Sequence, residues 1–153
     1  MSLHTVLNVS LIEVGLEART KDEVIASLLE IIARTGKVLD RDLAFAEIME
    51  RERKLSTGMR HGIAIPHART DAVTEFLACV CTTRDWVEFD AMDGKPCRIF
   101  FMTLSPKSVT APHLKLLAGV SGLMRNRARR LALLEAATPE EALAILTSDT
   151  SRD

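Results

Sequence analysis

The run Cys97 to Leu104, Cys-Arg-Ile-Phe-Phe-Met-Thr-Leu, constrains the fold most, because after Arg98 it is apolar on both faces of any strand it forms. A strand apolar on both sides must be covered on both sides, and helices are the usual cover. A second apolar run, Phe76 to Thr82, has the length and Val/Cys content of another buried strand, and Trp86 to Phe89 reads as a short extended piece. Asp93-Gly94 is a turn signal between them, and Pro106 closes the last run.

Helical periods lie between and around these strands. Thr20-Lys21-Asp22-Glu23 is a capping box opening a helix with Val24, Ile25, Leu28, Leu29 and Ile32 on its buried stripe, and Gly36 ends it. Asp40 can cap a second helix whose Leu43, Ala44, Phe45 and Ile48 face inward and whose last turn carries Arg51. Thr110 and Pro112 begin a third, lined by Leu114, Leu117, Val120 and Met124, while Leu131, Leu133 and Leu134 lie on a fourth. Thr138-Pro139-Glu140-Glu141 opens the last. The first 19 residues are mixed, with Leu11 and Ile12 packing at the domain edge, and residues 149 to 153 fray. The expectation is one α/β domain over residues 1–153, a mixed β-sheet flanked by helices on both faces.

Composition narrows function mostly by exclusion. Twenty Lys and Arg against 21 Asp and Glu leave a net charge of −1, so no global field favours nucleic acid or an anionic membrane. No apolar run approaches a membrane span and no signal-peptide pattern opens the chain, so no membrane insertion and a cytoplasmic location are expected. Cys79, Cys81 and Cys97 sit in strand-like runs and read as small buried hydrophobes, not as a disulfide or metal site. The basic run Arg125 to Arg130 reads as a solvated helix junction, or as a docking patch for an acidic partner.

Chemistry concentrates between residues 51 and 69. Pro66 forces Ile65 toward extended backbone, so Ile63-Ala64-Ile65 reads as a buried strand that stops just before His67. Upstream lie the hydroxyls of Ser56 and Thr57, the glycines Gly58 and Gly62, and the cations Arg51, Arg53, Lys54, Arg60 and Arg69. Taken alone, His67 fits a surface histidine. Together these groups suit a phosphoryl group, with the neutral imidazole as nucleophile and the donors balancing oxygen charge.

Arg51-Glu52, Ser56-Thr57-Gly58 and Gly62-Ile63-Ala64-Ile65-Pro66-His67 together resemble the active-site signature of the fructose/mannitol-type enzyme IIA domains of the bacterial phosphoenolpyruvate-dependent phosphotransferase system. Phe89-Asp90-Ala91-Met92-Asp93-Gly94-Lys95-Pro96 resembles that family's F-D-A-x-D-x-x-P turn, and His113-Leu114 with Leu117 its second-histidine motif. Arg60 departs from the pattern, since the family usually has glycine there.

The resemblance implies that His67 accepts a phosphoryl group from an HPr-type phosphohistidine carrier, such as the nitrogen-branch NPr. It also implies that His113 donates a hydrogen bond to the phosphoryl oxygens and that Arg51 neutralises charge. Ser56, Thr57, Gly58 and Gly62 would order the loop or bind phosphate directly. No cofactor or metal is implied, and no G-x-x-x-x-G-K-[ST] loop is present. Two branches fit: a nitrogen-regulatory component acting on regulatory protein targets, and a sugar-specific subunit passing phosphate to enzyme IIB. A reading from another class is a metal-binding module or hydrolase using His61, His67 and His113, and a domain that binds partners without being phosphorylated would accommodate Arg60.

Overall fold

The computed structural model describes residues 6–109, 117, 118, 120, 122 and 124–148. Its centre is the antiparallel pair β4 (Leu77–Val87) and β5 (Cys97–Ser105), in register from Leu77 opposite Leu104 to Thr82 opposite Ile99 and paired again at Val87 opposite Cys97. Every residue of β5 is buried except the half-buried Arg98, as its two apolar faces require. The extended piece expected near Trp86 is the outer end of β4 itself. Arg84, Asp85 and Trp86 are exposed there and the register slips between Thr82 and Val87, so the burial pattern breaks while the strand continues. Phe89, beyond the strand, is fully buried with its ring 5.3 Å from that of Phe100.

The remaining strands are short. β1 (Ile12–Leu16) adds parallel to β4 and was not evident in the sequence, because Glu13 and a left-handed Gly15 (φ 68°) interrupt any alternation. On the other side of β5 run β2 (Ile63–Ala64) and β3 (His67–Arg69), both parallel to it. The expected strand at 63–65 thus ends at Ala64. Proline cannot donate to a ladder, but the Pro66 carbonyl accepts from the Thr103 N–H at 3.2 Å, and pairing resumes at His67 opposite Thr103. The histidine therefore opens a strand instead of following one. The result is an open mixed sheet flanked by helices.

Helices α1 (Lys21–Ala33) and α2 (Arg41–Lys54) begin at the expected caps. Thr20 accepts from the Glu23 N–H at 3.2 Å, and Asp40 from the Leu43 N–H at 3.0 Å. The Glu23 carboxylate reaches back to the Arg19 N–H at 3.1 Å, one residue before the cap. α1 packs on β4 and α2 on β3. Leu43 is exposed, contrary to the expected inward stripe, and that stripe runs instead through Ala44, Ile48 and Glu52. α3 (Arg127–Glu135), capped by Asn126, packs against α4 (Pro139–Thr147), capped by Thr138. Within the basic run Arg129 is buried, and its Nη2 donates to the carbonyls of Ile145 and Ser148 at 2.8 and 2.9 Å. That arginine is a staple between α3 and the end of α4, neither solvated nor a docking group. The start of the helix expected from Thr110, with His113, lies outside the described residues. No described helix is long and apolar enough to cross a membrane.

Candidate phosphoryl-transfer site

The signature residues fold back on themselves before reaching the histidine. Residues 57–59 run antiparallel to 63–65, with the Met59 N–H on the Ile63 carbonyl at 2.7 Å and the Ile65 N–H on the Thr57 carbonyl at 3.1 Å. Gly62 makes the return at φ 77°, a left-handed backbone that strains any residue with a Cβ, and the exposed Trp86 ring would lie 3.0 Å from that Cβ. On the other flank the loop rests on the turn after Phe89. A Cβ on Gly58 would stand 2.7 Å from the Ala91 Cα, and the Gly58 carbonyl takes the Met92 N–H at 3.0 Å. The two motifs separated in sequence are thus one packed unit.

His67 stands where α2 meets β3. Its Nδ1 lies 2.8 Å from the Ile65 carbonyl. A carbonyl only accepts, so Nδ1 carries the proton and the neutral ring holds its nucleophilic lone pair on Nε2. The imidazole is half-buried, and burial lowers its pKa below the ordinary 6.5. The Ile65 hydrogen bond opposes that shift, Arg51 adds to it and Glu52 works against it. More of the ring is therefore neutral near pH 7 than in an exposed histidine.

An open pocket of about 320 Å³ is lined by His67, Ala68, Arg69, Glu47, Glu50, Arg51 and Lys54. Its carboxylates are engaged. Glu47 accepts from the Thr70 hydroxyl at 2.8 Å and lies 3.6 Å from Lys107, while Glu50 faces Lys54 at 3.6 Å. Arg51 Nη1 is anchored on the Leu55 carbonyl at 2.7 Å, and neither Arg51 nor Arg69 forms an ion pair among the described residues. Two guanidinium groups beside a neutral imidazole make the pocket suited to an anion.

The hydroxyls expected near phosphate are turned to the loop itself. Ser56 Oγ donates to the Phe89 carbonyl at 2.5 Å and accepts from the Gly58 N–H at 3.0 Å. Thr57 is buried and gives both its N–H, at 2.8 Å, and its hydroxyl, at 2.6 Å, to the Glu52 carboxylate. That carboxylate, itself buried, is neutralised by Lys21 at 2.9 Å. Glu52 was missed as a site residue. The signal was its spacing, four residues past Ile48 and eight past Ala44, which continues the buried stripe of α2. His61 and Arg60 are exposed and line a hollow with Met59, Met92 and Met124, His61 also lines one with Trp86 and Pro96, and His61 is not among the described residues that line the pocket of His67. Among the described residues no group of three or more His, Cys, Asp and Glu is placed to hold a metal. Cys79, Cys81 and Cys97 are buried free thiols; burial raises all three, Cys97 to about 12.

Comparison with known proteins decides the family. Residues 5–149 match the family described as phosphoenolpyruvate-dependent sugar phosphotransferase system, EIIA 2. The chain belongs to this EIIA family. As an EIIA protein it is a phosphotransfer component of that system. It is 35% identical over 144 residues to the fructose-specific EIIA component of Haloferax volcanii, covering 94% of each chain. It superposes on the crystal structure of nitrogen regulatory protein IIA-Ntr from Neisseria meningitidis with a TM-score of 0.86 and 32% identity, over 94% of this chain and 97% of that one. The Escherichia coli mannitol enzyme IIA, solved in complex with phosphorylated enzyme IIB, has the same fold at a TM-score of 0.79 and 19% identity, over 92% of this chain and 96% of that one. EIIA relatives of both the sugar-specific and the nitrogen-regulatory kind are thus represented.

Proposed function

We propose that this EIIA protein is a phosphocarrier whose acceptor atom is Nε2 of His67. The observation that carries the reading is the 2.8 Å contact of Nδ1 with the Ile65 carbonyl, in a pocket lined by Arg51 and Arg69. The Nε2 lone pair attacks phosphorus of an HPr-type phosphohistidine as the donor's nitrogen–phosphorus bond breaks, and the donor imidazole leaves with that electron pair. Arg51 and Arg69 balance charge on the equatorial oxygens. By the family resemblance His113 adds a hydrogen bond to those oxygens. Ser56, Thr57, Gly58 and Gly62 act by shaping the loop.

The physiological role proposed is that of a nitrogen-regulatory component, supported by the extent and score of the match to IIA-Ntr. The fructose-specific relative at 35% identity favours the second reading, a sugar-specific subunit delivering phosphate to enzyme IIB. Intact mass after incubation with phosphoenolpyruvate, enzyme I and an HPr-type carrier tests the shared step. One acid-labile phosphoryl group is expected in the wild type and none in His67→Ala, and no gain in the wild type overturns the proposal. Rapid onward transfer to a fructose or mannitol enzyme IIB would select the sugar-specific branch.

A further inference from the structure

The cluster behind the pocket forms a continuous path to the reacting ring. Lys21 Nζ lies 2.9 Å from Glu52 Oε2, and Glu52 receives the Thr57 N–H at 2.8 Å and the Thr57 hydroxyl at 2.6 Å. The Thr57 carbonyl accepts from the Ile65 N–H at 3.1 Å, and the Ile65 carbonyl faces His67 Nδ1 at 2.8 Å. Both backbone polar groups of Ile65 are therefore committed, one to the loop that Glu52 grips and the other to the imidazole. Pro66 follows directly and restricts Ile65 further. We infer that Glu52 is a positioning residue for His67: through Thr57 and Ile65 it holds the carbonyl that keeps the proton on Nδ1 and the lone pair on Nε2.

Three features make this more than a buried ion pair. The carboxylate spends both oxygens on one residue, Thr57, and so fixes its backbone as well as its side chain. Lys21 braces the carboxylate from α1 and also reaches the Phe89 carbonyl at 3.3 Å, which the Ser56 hydroxyl shares. The loop is thereby held from both flanks. The tautomer is also a consequence of position: with the Ile65 carbonyl displaced, an imidazole reverts to the mixture it adopts in water.

The inference rests on His67 as acceptor, but its primary readout needs no phosphoryl donor. The full-length protein is labelled with ¹⁵N in its histidines, and the tautomer of neutral His67 is read from long-range proton–nitrogen correlations above pH 7.5. Wild type should be dominated by the Nδ1–H form. In Glu52→Ala the Nε2–H form should appear, and the initial rate of phosphoryl acceptance should fall about ten-fold. Where Glu52→Ala fails to fold, Glu52→Gln preserves the volume and should shift the tautomer in the same direction to a smaller extent. A folded Glu52 variant with the wild-type tautomer would overturn the inference. A wild type that accepts no phosphoryl group defeats the proposed function instead, while the tautomer arm still decides the role of Glu52.

Discussion

Arg51 and Glu52 are neighbours at the end of one helix, yet they belong to opposite environments. Arg51 lines an open pocket and, among the described residues, is tied down only by the Leu55 carbonyl, whereas Glu52 is buried, paired with Lys21 and committed to Thr57. One residue of helical rotation separates a group that lines an open pocket from a group consumed by the fold. A solvated charge can be removed without leaving an orphan. A buried paired charge cannot, since its loss leaves the Thr57 N–H and hydroxyl without their acceptor and Lys21 with only the Phe89 carbonyl and Asp90.

Removing each residue should break that symmetry of position most visibly. Glu52→Ala should cost about 3–5 kcal/mol of stability, the range for breaking a buried ion pair, measured by urea denaturation. Arg51→Ala should change stability by less than about 1 kcal/mol. Its effect should appear in kinetics instead, as a loss of about 10²-fold in the rate of phosphoryl acceptance from the carrier, which is about 2.7 kcal/mol of barrier. Equal stability losses in the two variants would dissolve the distinction.

The contact between the two motifs sharpens the comparison at a smaller scale. Gly58→Ala places a Cβ against the Ala91 backbone, where nothing flexible can yield. It should cost about 1–3 kcal/mol by overpacking, read from the same denaturation curves. Smallest is the effect of pH on His67. Its pKa is depressed in the folded state mainly by burial, so the folded ring sheds its proton more readily than the unfolded one. The associated stability is intact above about pH 6.5 and is lost as pH falls toward and through the lowered folded value. The rate of phosphoryl acceptance should fall in that acidic window and be flat above it, in a stopped-flow pH series.

Much of the architecture was legible because it obeys local rules. The caps at Thr20, Asp40 and Thr138, and the two-faced run of β5, follow from residue chemistry alone. The misses are places where tertiary contacts outweigh pattern. β1 forms through pairing with β4 despite a positive-φ glycine, Leu43 turns outward although it is apolar, and Arg129 is buried to staple two helices. At the site, His67, Arg51 and the glycines could be singled out by type and spacing. The roles of the hydroxyls could not, because whether Ser56 and Thr57 face a ligand or the loop depends on where Phe89 and Glu52 end up. Glu52 was the recoverable omission: a charged residue on an apolar stripe must have partners.

The most direct measurement is the site of modification itself. The protein is phosphorylated through enzyme I and an HPr-type carrier under alkaline conditions, and the imidazole nitrogens of the ¹⁵N-labelled phosphoprotein are assigned by long-range correlation. Phosphorus bonded to Nε2 of His67, with Nδ1 still protonated on the Ile65 carbonyl, is the predicted result. Phosphorylation at Nδ1 of His67, or at another histidine, would contradict it.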